Sequence, residues 1–213
     1  PDGHSLWPGF TNVPNEFIES YFPLRIERYE TIPDSGGAGL HRGGNGLSVA
    51  YRFLCDGDIG IHDERWLTYP WGVLGGETGL RSTKRLVRVD GSEQWLPAKA
   101  EGIKVKTGDM LYFNTWGGGG WGDPFARDPE LVQQDVNRRL VTVDGARRYG
   151  VVMASDGSVD QDATQTLRAE LKAAAGEPAL FNFGGDVEEI RARCEAETHL
   201  PAPVKPTFIG ASQ

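Results

Sequence analysis

Between Leu24 and Ile32 apolar and charged residues alternate with a period of two, the pattern of a half-buried strand. Similar β-like runs follow at Leu47–Leu54, Asp58–His62, Trp66–Tyr69, Arg85–Val89, Ile103–Val105 and Met110–Asn114. Asp90-Gly91 and Thr107-Gly108-Asp109 are turn signals between them. A short helix is expected ahead of these strands, over Glu16–Phe22. Many short strands with frequent turns predict an antiparallel sheet, a sandwich or a barrel-like body. Near residue 128 the pattern turns helical. Asp128-Pro129-Glu130 offers an N-cap, a proline at the first helical position and an acid in the first turn. Val132, Val136 and Leu140 then recur at helical spacing. A second short helix is expected over Val143–Tyr149, closed by Gly150, with a last strand at Val151–Met153. Further helices are expected over Asp160–Ala175 and, after Asp186, along the narrow stripe Val187, Ile190, Arg191 and Cys194. The end from Pro201 reads as extended. The expected class is α+β and β-dominated: a sandwich-like body over residues 1–153, and a helical and extended tail over 154–213 that docks on the body or on a partner subunit.

Composition narrows the partners. A formal net charge of −8 argues against nucleic acid or an anionic membrane. No apolar run approaches the roughly 18–20 residues that span a bilayer. The beginning, Pro1-Asp2-Gly3-His4-Ser5, shows neither an initiator Met nor a signal-peptide pattern, so the true N-terminus is expected to have been processed, cut away or omitted. Two widely separated cysteines, Cys55 and Cys194, read as reduced structural thiols in a cytoplasmic protein. The unusual feature is the 29 glycines, clustered between β-like runs, which points to tight turns and close backbone approaches.

Motifs on their own assign no chemistry. Gly117–Gly122 formally contains G-x-G-x-x-G, but Asp123-Pro124-Phe125 intervenes before any helix and no βαβ pattern surrounds it. A backbone crossing packed between Trp116 and Trp121 is the favoured reading. Loop 36–46 could cradle an anion with help from Arg42, yet it lacks the Lys-Ser/Thr ending of a P-loop, and a structural loop is favoured. The four histidines form no close ligand pair. His62-Asp63-Glu64 fits an acid–base or metal site and an exposed strand end equally well. Neither a nucleophile elbow nor an S-x-x-K motif occurs.

One longer pattern does carry a resemblance. Tyr21–Tyr29, Pro33–Gly39 and Arg42–Gly46 resemble the central signature of the hydantoinase B/oxoprolinase family, preceded by Thr11–Glu16. Glu64-Arg65, Pro70-Trp71-Gly72, Gly75-Gly76, Gly108-Asp109, Gly117–Pro124, Asp128-Pro129-Glu130 and Tyr149–Val152 follow in the family's order, so the resemblance covers roughly residues 1–153. It implies one subunit, or part of one, in an enzyme that phosphorylates a carbonyl or enol oxygen with ATP and then hydrolyses a ring or carboxylates with bicarbonate. ATP and Mg are expected on a hydantoinase A-like partner subunit. A divalent metal, Zn or Mn, is expected on a partner chain or on the N-terminal half that this sequence lacks, with none bound by this chain alone. The preferred expectation is a ketone carboxylase resembling acetophenone carboxylase, acting on a small ketone. The alternatives are a cyclic-amide hydrolase of the N-methylhydantoinase or 5-oxoprolinase type, or a non-catalytic scaffold that completes its partner's β body. Asn12, Glu16, Asp34, Arg42 and Asp123 are the expected pocket-lining residues.

Overall fold

In the computed structural model, which describes residue 2 and residues 13–204, the alternating stretches become strands. Helix α1 (Asn15–Tyr21) leads into β1 (Leu24–Thr31), β2 (Leu47–Phe53) and β3 (Gly57–His62). There follow β4 (Gly72–Val73), β5 (Thr83–Val87), β6 (Glu93–Trp95), β7 (Lys99–Val105) and β8 (Met110–Asn114). The main sheet has five strands in the order β1-β2-β8-β5-β6, each pair antiparallel. Register places Tyr29 beside Val49, Val49 beside Phe113 and Phe113 beside Lys84, so these four residues form one row across one face. Strands β3 and β7 pair separately and cover one end of this face. There Phe53, Ile61, Leu86, Leu96, Val105 and Leu111 close the first apolar core, with Ile59 and Ile103 packed against it.

Beyond the sheet the chain is helical, with α2 (Pro129–Asn137), α3 (Gln161–Ala174), a two-residue strand β9 (Phe181–Asn182) and α4 (Val187–Thr198). Asp128 caps α2 by accepting from Glu130 N, as its sequence context suggests. A second core gathers Ala38, Val132, Val141, Ala146, Tyr149 and Val151. Burial raises the Tyr149 phenol to about 12. Beside it, buried Asp135 accepts from Arg42 Nε at 3.3 Å and from Arg127 Nη2 at 2.9 Å. Helix α4 begins on a capping box between Asp186 and Glu189, and it buries Ile190, Cys194 and Thr198. Among the described residues no helix is long and apolar enough to cross a membrane.

A further layer is made of backbone. The segments 35–46, 70–80 and 115–123 hydrogen-bond to one another: Gly37 N to Gly118 O, Gly118 N to Gly44 O, Glu77 N to Ala38 O and Gly120 N to Glu77 O, all at 2.7–2.8 Å. Here the glycines are required by space. A Cβ on Gly117 would run into the Ser35 carbonyl, and one on Gly120 into that of Ala38.

Three local expectations are corrected. Trp66–Tyr69 is irregular and not a strand, because the Trp66 and Leu67 carbonyls are turned onto Arg81 Nη1 at 2.9 Å. Val151–Met153 makes no strand; Met153 forms a single bridge with Val159. The helix expected over Val143–Tyr149 shrinks to a tight 3₁₀ segment, Gly145–Tyr149, closed by left-handed Gly150.

Candidate functional site

The uncovered end of the sheet face is a cleft of about 450 Å³. Because side chains alternate along a strand, Leu47, Val49 and Tyr51 of β2 all point to this side, with Tyr29 of β1 and Phe113 of β8. Trp116 and Thr115 close one end, and His62, Asp63, Glu64 and Lys99 form a polar rim where β3 ends and β7 begins. Four aromatic rings facing a few polar groups make a site suited to a flat, partly apolar molecule. Burial pushes the Tyr51 phenol up, and neighbouring Tyr29 adds to the effect.

Beneath the aromatic wall lies a charged cluster. Lys84 and Asp63 form an ion pair with side chains 0% and 2% exposed. Ser82 donates its hydroxyl to Asp63 and also lies 3.0 Å from the Glu64 carbonyl. The Lys84 ammonium stands 5.4 Å from the centre of the Phe113 ring. Burial pulls the Lys84 pKa below its ordinary value, although Asp63 works in the opposite direction. Asp63 is therefore a fixed, shielded acceptor at the cleft wall. At the rim, the exposed His62 imidazole has its Nε2 2.6 Å from Glu101 Oε1.

The four described residues among the five expected from the sequence do not gather in this cleft. Asn12 lies outside the described residues. Glu16 is exposed on α1. Asp34, in the left-handed region at φ 62°, accepts from Thr142 N at 3.0 Å and Thr142 Oγ1 at 2.6 Å. Arg42 is held by Asp2 at 2.7 Å and by Asp135. Asp123 caps the turn Pro124–Ala126 through Phe125 N at 2.8 Å and borders a second cleft with Glu77. Missed by the motif search were Lys84, Ser82, Tyr51 and Phe113. One signal was present: in Thr83–Val87, Lys84 shares the period-two face of Leu86, and a lysine on an apolar face needs a partner.

The glycine layer is a poor phosphate cradle, because the amides of Gly37, Gly43, Gly118 and Gly120 are all committed to carbonyls within the layer. Among the described residues no three His, Cys, Asp or Glu side chains are placed to hold a metal ion.

Comparison with known proteins supplies what the cleft alone does not. The family model described as hydantoinase B/oxoprolinase matches residues 1–124. The chain is 36% identical to caprolactamase subunit beta of Pseudomonas jessenii over 161 residues, 72% of this chain and 27% of that protein. The crystal structure of the ATP-dependent caprolactamase from the same organism superposes with a TM-score of 0.64 at 32% identity, covering 73% of this chain and 28% of that one. The nucleotide-free structure of an acetone carboxylase gives a TM-score of 0.62 at 22% identity, over 76% and 26%, a likeness of fold. The chain spans little more than a quarter of the length of curated relatives that it matches over most of its own length. The matching family model, joined to this degree of identity, shows that the chain belongs to the hydantoinase B/oxoprolinase family.

Proposed function

We propose that this chain works as part of a hydantoinase B-type subunit in an ATP-dependent enzyme that opens a cyclic amide. The observation that carries the reading is the 36% identity to caprolactamase subunit beta. The proposal turns the sequence expectation around, placing the hydrolase ahead of the ketone carboxylase. The carboxylase stays as a second reading, and its support is the fold shared with acetone carboxylase. In the hydrolase reading a lactam, hydantoin or oxoproline ring lies against Tyr29, Tyr51 and Phe113, with its amide edge toward the polar rim of His62, Glu64 and Lys99. ATP and Mg belong to a hydantoinase A-like partner, and the divalent metal to the remainder of the hydantoinase B-type subunit. Of the residues expected from the sequence, Glu16 is exposed and Asp123 lines the second cleft, and these two are kept as candidates to meet a ligand or partner.

The test is turnover by the chain assembled with both of those components. The expected result is ATP-dependent release of a ring-opened acid from caprolactam, hydantoin or 5-oxoproline without bicarbonate. Bicarbonate-dependent consumption of a ketone, with the cyclic amides untouched, would overturn it in favour of the carboxylase.

A further inference from the structure

The second cleft borders the glycine layer and shares no lining residue with the aromatic cleft. It measures about 590 Å³, inside the range of small-molecule sites. One wall is the layer itself, at Gly75–Glu77 and Asp123–Phe125. The other comes from beyond residue 124, where the family match ends: Lys172 and Ala175 at the end of α3, then Pro178–Phe183. The walls are clamped together by the β4–β9 pair, Gly72 to Asn182 and Val73 to Phe181. Leu74 N to Leu180 O at 2.9 Å and Gly75 N to Ala179 O at 3.3 Å extend the clamp.

The lining is chemically lopsided. Phe125, Phe181, Phe183, Pro124 and Pro178 present apolar surface, and Phe181 and Phe183 stand 47% and 55% exposed while stacked on each other. The polar groups are mostly committed. Glu77 is held by Arg148 at 2.7 Å, Asp123 caps Phe125, and Asn182 bonds Gly76 O and Gly184 N. Among the described residues Lys172 is the one cation on the lining and forms no ion pair, while of the two lining carboxylates Glu77 is neutralised by Arg148 and Asp123 is turned onto the Phe125 amide. A single ammonium with no accompanying arginine suits a head carrying one negative charge, and the apolar walls suit a hydrocarbon body. We infer that the cleft between the glycine layer and the 172–185 segment binds a small carboxylic acid with an aromatic or long apolar body, its carboxylate on Lys172 and its body over Phe125, Phe181 and Phe183.

Calorimetric titration of the whole chain with 3-phenylpropanoate tests this, with 3-phenylpropanol as a neutral isostere. The expected result is saturable submillimolar binding of the acid, at least ~10-fold tighter than the alcohol. Lys172→Gln, at an exposed helix position, should remove that preference, and Lys172→Arg should keep most of it. Phe183→Ser should weaken acid and alcohol alike. Equal affinity for acid and alcohol, a preference that survives Lys172→Gln, or no saturation up to ~10 mM would each overturn the assignment. Because no turnover is measured, the outcome is independent of whether the enzyme opens rings or carboxylates ketones.

Discussion

At the scale of single residues, two positions show how little the residue type says without its surroundings. Gly117 and Gly57 are both glycines bordering or within β structure. A methyl on Gly117 strikes the Ser35 carbonyl, whereas one on Gly57 meets nothing within 4 Å. Gly117→Ala should therefore destabilise by about 1–3 kcal/mol through overpacking against immobile backbone. Gly57→Ala should be neutral, or stabilise by about 0.5 kcal/mol by restricting the unfolded chain. Urea unfolding of the two variants checks the contrast, and equal effects would refute the view of the layer as close-packed backbone. The Lys84–Asp63 pair gives a second residue-scale prediction. Lys84→Met leaves a buried carboxylate with only Ser82 beside it, a loss of about 3–5 kcal/mol. Adding Asp63→Leu should recover most of that loss, since Ser82 retains the Glu64 carbonyl. A double-mutant cycle that came out additive would show that the two charges do not depend on each other.

Elements were legible in the sequence where burial follows periodicity, and illegible where polar contacts decide. Strand β1 was legible from its alternation, which burial follows over Leu24–Ile26 until a register shift interrupts it, and β2, buried on both faces over Leu47–Ala50, was legible as a short run bounded by turn residues. Strands β6 and β9 escaped notice because Glu93-Gln94-Trp95 and Phe181-Asn182 carry no periodic pattern; pairing with a neighbour makes them strands. The site divided in the same way. His62-Asp63-Glu64 was visible as a cluster of chemistry, but the aromatic wall it faces is assembled by register across three strands, which no local window contains. Helix α4 shows the limit of the stripe argument. Val187, counted in its apolar stripe, is 70% exposed, and unforeseen Thr198 is buried. What docks the helix is largely polar: Glu197 accepts from Tyr69 Oη and Arg81 Nε, while Arg81 and Arg193 lie over the Tyr69 ring at 4.2 and 4.6 Å. Glu197→Ala should cost about 1–2 kcal/mol, below the value for a fully buried pair because Glu197 is partly exposed. The loss should be local, with amide exchange across 187–198 accelerating about 10-fold while the main sheet is unaffected. Uniform acceleration throughout the chain would contradict this.

At the scale of the whole molecule, among the described residues the two apolar cores share no cluster; the glycine layer connects to one through Ala38 and to the other through the end of β8. Whether they unfold together depends on that layer. It is not a flexible linker. Its three segments exchange short backbone hydrogen bonds, and Ala38, in the middle of one segment, is fully buried in the helical core. Ser35, at the start of the same segment, accepts from Leu80 N and donates to Ile32 O, which ties the layer to the end of β1. Opening either core would expose backbone groups of the layer that only the opposing segments satisfy, at a cost that makes partial unfolding unfavourable. The expected outcome is one urea transition, with tryptophan fluorescence and far-ultraviolet circular dichroism coinciding. Gly120→Ala, which forces a methyl against the Ala38 carbonyl, should pull the two signals apart by loosening the layer before either core. Coincident transitions in that variant would mean that the cores are coupled by contacts other than the backbone layer. Two separate transitions in the unsubstituted chain would mean that the layer couples nothing.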